Sequence, residues 1–156
     1  MAARAQSAAV TIRPAQEGDL DDVAAIERAV FNDPWSRRSF ADLVNARQVH
    51  FLVAVDVNAV VGYAIVLIAG VESELANLAV ARLMQHKGLG RRLLDGALSA
   101  ASGRGCREMF LEVRASNIAA IGLYSSAGFE AVGRRVRYYA RPIEDAVVMR
   151  TALKTG

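Results

Sequence analysis

Two side chains in this sequence could move protons, and one turn could hold an anion. Glu112 stands in Phe110-Leu111-Glu112-Val113, among apolar neighbours. A carboxylate so placed is either a solvated residue on the open face of a strand, which alternation produces routinely, or an acid set beside a cleft. In the second case partial desolvation would raise its pKa and suit it to take a proton from an amine. Tyr124 follows in the next helical stretch. A tyrosine there is ordinarily a packing residue with its hydroxyl at the surface, but a phenol can also protonate a leaving group.

The turn is Gln85-His86-Lys87-Gly88-Leu89-Gly90-Arg91-Arg92, between a hydrophobic run over 75–80 and an amphipathic one over 93–101. A strand that enters a glycine turn opening a helix leaves several backbone N–H groups without intrahelical partners, at the positive end of the helix dipole. Such a turn binds anions. Gly88 and Gly90 lack Cβ atoms, so both can take left-handed dihedrals and let a phosphate approach the main chain. Lys87, Arg91 and Arg92 add positive charge, and the chemistry implied is capture of a pyrophosphate-like group. Paired glycines also occur in plain turns. A Walker loop is excluded, because Gly-Arg-Arg stands where Gly-Lys-Ser/Thr is needed, and a dinucleotide fingerprint is excluded by Leu93 at its third small position.

The elements that must position these groups follow from periodicity. Residues 10–13 alternate as a first strand ended by Pro14, and residues 20–30 carry Leu20, Val23, Ile26 and Val30 at helical spacing behind Asp19, Asp21 and Asp22. Ser36 caps a second helix bearing Phe40, Leu43 and Val44. Trp35, the one tryptophan, lies in the loop before it, as core or as one wall of a substrate groove. Residues 51–55, 60–68 and 72–80 read as strands, the first two joined by a hairpin. A helix from about Gly90 stops at Ser102-Gly103-Arg104-Gly105, and 108–113 forms a strand parallel to 72–80. The anion turn then lies at the carboxyl end of the earlier strand, the edge where open α/β sheets bind ligands. Residues 117–126 read as a helix with Ile118, Ile121 and Leu123-Tyr124 on or near its buried side. A strand over 129–132, an arginine-rich loop and a last strand over 146–149 follow.

At 156 residues, 53% hydrophobic and 22% charged, the chain suits a single core, over residues 10–156, behind a frayed, flexible tail over 1–9. The net charge of +3 favours an anionic ligand without requiring nucleic acid. One cysteine, Cys106, cannot form an internal disulfide and suits a reducing, cytoplasmic setting. No apolar run approaches a membrane span. His50 and His86 are far apart in sequence and have no partner at metal spacing, so no metal is expected.

Several segments together resemble the GNAT superfamily of acetyl-CoA-dependent N-acetyltransferases: Asn77-Leu78-Ala79-Val80; Gln85-x-x-Gly88-x-Gly90; Leu111-Glu112-Val113-Arg114-Ala115-Ser116-Asn117; and Ala120-x-x-Leu123-Tyr124-x-x-x-Gly128-Phe129. Pro34-Trp35-Ser36 and Arg134-Arg135-x-x-Tyr138-Tyr139 with Glu144-Asp145-Ala146 are similar to its branch of bacterial ribosomal-protein-alanine N-acetyltransferases. The resemblance implies an α/β (α+β) fold: a mixed, mostly antiparallel central sheet with one parallel central strand pair and flanking helices. It implies Glu112 as general base for the incoming amine and Tyr124 as general acid for the coenzyme A thiolate. Acetyl-CoA would lie along Leu78, Ala79 and Val80, with its pyrophosphate on His86, Lys87, Gly88, Leu89, Gly90 and Arg91 and a contact from Asn117. Trp35, Tyr138 and Tyr139 would meet the acceptor, which is expected to be the N-terminal α-amine of a small-subunit ribosomal protein. A monomer in the cytoplasm is expected, with no membrane or direct nucleic-acid contact. Ala81-Arg82-Leu83-Met84 departs from the family's pattern, so the local turn is expected to differ while the amides survive. A lysine side chain or a small amine is the alternative acceptor. A basic RNA-binding module built on Arg134, Arg135, Arg137 and Arg141 is the alternative of another class.

Overall fold

The alternating runs assemble into a seven-stranded sheet with helices on both faces, in a computed structural model that describes residues 9–154. All but the last residue of the expected tail, 1–9, lies outside the described residues. The chain runs β1 (Thr11–Pro14), α1 (Leu20–Val30), α2 (Arg37–Leu43), β2 (Val49–Asp56), β3 (Ala59–Ala69) and β4 (Glu72–Val80). It continues through α3 (Leu89–Gly103), β5 (Glu108–Arg114), α4 (Ile118–Ser126), β6 (Glu130–Ala140) and β7 (Ile143–Ala152). The strand order is β1-β2-β3-β4-β5-β7-β6, and β4 with β5 forms the one parallel pair.

Local chemistry explains most boundaries. Ser36 Oγ accepts from the Ser39 N–H at 3.1 Å and so caps α2 as expected. Gly105 (φ 84°) and Gly128 (φ 100°) take left-handed conformations just past the ends of α3 and α4. Pro14 ends β1 as expected, being its last residue, opposite Leu52. An edge strand tolerates a proline because the missing N–H has no required partner.

Two expectations are corrected. The arginine-rich stretch is not a loop: Arg134 to Tyr139 lie within β6, an eleven-residue strand. It pairs only with β7, both of its faces are largely exposed, and so no apolar alternation marks it. Ile118 is 73% exposed, and the buried residue of α4 is Tyr124. With Asn117 as cap, Ile118 opens the first turn and points away from the sheet.

The core has two parts. Leu89, Leu93, Leu94 and Ala97 of α3 pack with Tyr124 on one sheet face, over Val66, Leu75, Leu111 and Met149. Leu20, Val23, Ile26 and Phe40 of α1 and α2 cover the other face, on Phe51, Val53, Tyr63, Ile65 and Ala79. Each fully buried leucine contributes about 1.5–3 kcal/mol. Gly62 permits the close approach of α3 to β3, because a Cβ there would stand 3.0 Å from both Ala79 O and Leu93 Cδ1.

The two parallel strands part company midway. Glu72 to Leu75 pair with Glu108 to Leu111, but Ala76 to Val80 have no partner in β5. The register with β3 jumps from Val66 opposite Leu75 to Ile65 opposite Asn77, which leaves Ala76 as an extra residue. A bulge of this kind bends its strand. The result is an opening in the middle of the sheet.

Candidate active site

The cleft between the diverging strands is a cavity of about 400 Å³, lined among others by Leu78, Glu112, Asn117, Leu123, Tyr124, Tyr139 and Trp35. Glu112 follows Leu111, the last residue of β5 paired with β4, where the two strands part. Its Oε2 is buried and stands 3.1 Å from Arg135 Nε, an ion-pair distance, yet it accepts no hydrogen bond from a described residue. A carboxylate oxygen held this way has lone pairs open to a donor that enters the cleft.

Tyr124 is 8% exposed and packs edge-on against Phe129, with ring centroids 5.8 Å apart. Burial, with a smaller contribution from Tyr139, pushes its pKa up to about 12. It therefore keeps its proton throughout the neutral range and is a hydrogen-bond donor to anything anionic that forms beside it. Glu112 and Tyr124 come from different elements, and the divergence of β4 and β5 brings both to one cavity.

The edge of β4 that faces the opening carries free backbone groups. The Ala81 N–H donates to Val61 O at 2.8 Å, so by alternation Ala79 also turns its polar groups to β3 while Leu78 and Val80 turn theirs to the cleft side. The Val80 carbonyl there accepts from Gln85 Nε2 at 3.0 Å. Of the three residues expected to line a pantetheine arm, Leu78 and Val80 thus offer main-chain groups, and Ala79 offers only its small side chain.

The glycine turn differs in one respect from expectation. Gly88 caps α3 in a left-handed conformation (φ 83°), but Gly90 lies inside the helix, and the second left-handed residue is His86 (φ 64°). A Cβ at Gly90 would meet Leu123 Cδ2 at 3.5 Å, an ordinary contact, so neither its conformation nor its packing requires glycine there. The cap makes no side-chain hydrogen bond and the first turn holds no acidic residue, so the N–H groups of Leu89, Gly90 and Arg91 remain available at the positive end of the dipole. The Leu89 side chain is buried, so only its amide can serve. His86, Lys87 and Arg91 are exposed at the same end, Arg91 paired with Asp95 at 3.0 Å. The stretch expected to differ forms a short helical turn, Arg82–Met84, and Arg82 ties it to the Ala29 carbonyl of α1. Asn117 spends its Oδ1 on capping α4, at 3.2 Å from the Ala120 N–H, and lines the cleft with the rest of its side chain.

One residue of the site escaped the sequence reading. Glu27 is 2% exposed and collects donors from three distant segments: the Trp35 N–H (2.9 Å), Asn77 Nδ2 (2.9 Å) and the Tyr63 hydroxyl. It pins the Trp35 loop to the sheet beneath it. The only hint was an acidic residue on the apolar side of α1, next to Ile26 and four positions after Val23. Trp35 lines the cleft and leans on Phe40, with ring centroids 5.5 Å apart. Tyr139 also lines it, under the Arg114 guanidinium at 4.3 Å. Tyr138 stands outside the cleft, half exposed, beside Arg135. Of the arginines considered for RNA, Arg134, Arg135 and Arg141 are paired with Asp145, Glu112 and Asp33. Among the described residues no group of three or more His, Cys, Asp or Glu could hold a metal ion.

Known proteins share this fold and much of this sequence. Residues 20–129 match the Acetyltransferase (GNAT) family. The chain is 36% identical over 141 residues to the [ribosomal protein bS18]-alanine N-acetyltransferase of Escherichia coli K12, across 89% of this chain and 95% of that one. It is 36% identical over 147 residues to the N-alpha-acetyltransferase RimI of Mycobacterium tuberculosis, across 90% and 91%. The crystal structure of the ribosomal-protein-S18-alanine N-acetyltransferase from Escherichia coli superposes with a TM-score of 0.87 at 33% identity, over 94% of this chain and 96% of that one. Parted parallel strands, a glycine turn and matches of this extent agree, and the chain belongs to the GNAT family of acetyltransferases.

Proposed function

We propose that this protein moves the acetyl group of acetyl-CoA to the N-terminal α-amine of a protein, with a ribosomal protein beginning in alanine as its acceptor. The observation that carries the reading is the pairing of Glu112 and Tyr124 in one cavity between β4 and β5. The names of its relatives, ribosomal-protein-alanine and N-alpha-acetyltransferases, support the choice of acceptor.

The residues present fit the donor. The free amides of Leu89, Gly90 and Arg91 suit a pyrophosphate, and the unpaired edge at Leu78 and Val80 suits an amide-bearing arm. Bound acetyl-CoA supplies an activated acyl carbon in a thioester. Glu112 takes the proton of the acceptor's ammonium or amine, directly or through one water, so that the nitrogen lone pair is free to attack. An α-amine has a pKa of about 8, so this help need only be modest. Main-chain N–H groups on the β4 edge are positioned to stabilise negative charge on the carbonyl oxygen. Tyr124 donates its phenolic proton toward the departing sulfur. Trp35 and Tyr139 form two walls around the amine, and Glu27 holds the Trp35 loop in place.

The test is mass spectrometry of protein N-termini in cells with and without the protein. Acetylated α-amines that vanish with it, led by a ribosomal protein with an exposed alanine, are the expected result. Changes confined to lysine side chains would overturn the reading.

A further inference from the structure

Glu112 borders a second cavity. On the sheet face partly covered by α1 and α2, those helices take their sheet contacts from β2, β3 and β4, and the surface over β5 and β7 is left open. There a hollow of about 430 Å³ is lined by Leu67, Phe110 and Val148 as its apolar floor, with Glu72, Glu74, Glu112 and Arg135 around it. Glu112 therefore lines both this hollow and the cleft already described.

The hollow's chemistry is specific. It offers three carboxylates against one guanidinium. Glu74 is half buried, and its carboxyl is pushed up chiefly by burial and then by the nearby charge of Glu112, with Arg135 acting in the opposite direction. Arg135, the single cation, sits on an edge strand, is 59% exposed and points its Nε at Glu112 without a hydrogen bond to the buried oxygen. An apolar floor that ends in carboxylates matches a side chain with an aliphatic stem and a cationic head. The distances match as well. Glu74 lies opposite Phe110 in the parallel register, and Glu112 is two residues further along β5 on the same face, about 7 Å away along the strand. An acceptor whose amine is at Glu112 can reach that far with a neighbouring lysine or arginine.

We propose that the hollow beyond Glu112 is a specificity subsite, in which Glu74 receives a basic side chain that follows closely behind the acceptor's reactive amine. The subsite rests on the acceptor being a peptide, as proposed above. Glu74 acts on acceptor choice and does not touch the reacting atoms.

The experiment uses short peptides with N-terminal alanine in which one arginine is moved through positions two to four, each compared with its citrulline counterpart of the same shape and no charge. At one position the arginine peptide should show a kcat/KM about tenfold higher, carried by KM, since tenfold corresponds to a single favourable charge contact. Glu74→Gln should reduce that preference to about twofold or less, and Glu74→Arg should reverse it, with turnover of the citrulline peptides retained. An arginine preference unchanged in Glu74→Gln, or absent at every position, would overturn the subsite. Acetylated citrulline peptides keep the broader function standing in either case. If no peptide is acetylated the function falls, and quenching of Trp35 fluorescence on peptide binding still reports whether arginine is preferred through Glu74.

Discussion

At the scale of single residues, the proposed reaction assigns its proton transfers to two groups whose surroundings differ. Glu112 has a buried oxygen that accepts no hydrogen bond from a described residue, whereas Tyr124 is buried and packs edge-on against Phe129. Replacing Glu112 by Gln keeps the shape and removes the base, so kcat should fall by about 10²–10⁴ with little change in acetyl-CoA affinity. Steady-state kinetics with equilibrium binding of acetyl-CoA checks this, and an undiminished kcat removes Glu112 from the chemistry. Tyr124→Phe should likewise lower kcat and spare acetyl-CoA binding. The pH dependence has a definite sign. A phenol whose pKa is pushed up to about 12 is still protonated where an ordinary tyrosine, at about 10, begins to ionise. The rate should therefore show no descending limb near that pH, and a limb there that disappears in Tyr124→Phe would contradict the burial argument. Type and position made both residues readable as candidates alone, since alternation and packing produce such residues routinely, and their proposed roles came from the family resemblance. Glu27 was not readable, since its partners Trp35, Tyr63 and Asn77 come from three separate segments and only the fold joins them.

At the scale of elements, the cleft depends on how three pieces end or bend: β4 at its bulge, α3 at its cap and the loops that form the lips. Gly88 is the position where the turn requires a left-handed residue, and a Cβ there would meet nothing within 4 Å. The penalty of Gly88→Ala is therefore conformational, about 1–2 kcal/mol. Denaturant unfolding should show that loss, accompanied by a higher KM for acetyl-CoA as the amides of α3 tilt. Unchanged stability would mean that the turn tolerates an L-residue. The lips are joined by Asp33, from the loop between α1 and α2, which meets Arg141 at 2.9 Å and Arg114 at 3.9 Å beside the turn between β6 and β7. Partly exposed pairs of this sort contribute about 0–1 kcal/mol. Asp33→Ala should accordingly raise KM for the acceptor by up to about fivefold. It should also weaken the salt dependence of that constant and leave KM for acetyl-CoA alone. A larger effect on acetyl-CoA would move Asp33 to the other side of the site. Strand and helix periodicity located nearly every one of these elements. It failed at β6, where an edge strand exposed on both faces has no buried side to impose a pattern, and at the bulge of Ala76, which adds a residue without changing the composition of β4.

At the scale of the whole molecule, the sheet is two half-sheets joined at a short seam. β1 to β4 carry α1 and α2 on one face, β5, β7 and β6 form the other half, and the parallel register between them extends over only four residue pairs. Four segments, the end of β4, the glycine turn, β5 and α4, carry much of the resemblance to the family. The parting of the strands depends on long-range register and could not be read from any one of them. A ligand that enters this seam touches both halves at once: the edge of β4 and the amides of α3 on one side, and Asn117, Leu123 and Tyr124 beyond β5 on the other. Binding to the folded state alone at a hundred times Kd adds about 2.7 kcal/mol. At about 2–4 °C per kcal/mol for a domain of this size, acetyl-CoA should raise Tm by about 5–10 °C. Glu112→Gln should retain the whole shift, since it alters the chemistry and not the seam, while Gly88→Ala should lose part of it at the same acetyl-CoA concentration. Free acetate or dephosphorylated pantetheine at that concentration should shift Tm far less, because neither spans from the thioester position to the amides of α3. A Tm indifferent to acetyl-CoA, in a protein that unfolds cooperatively, would show that the parted strands do not receive the donor and would remove the structural basis of the proposed reaction.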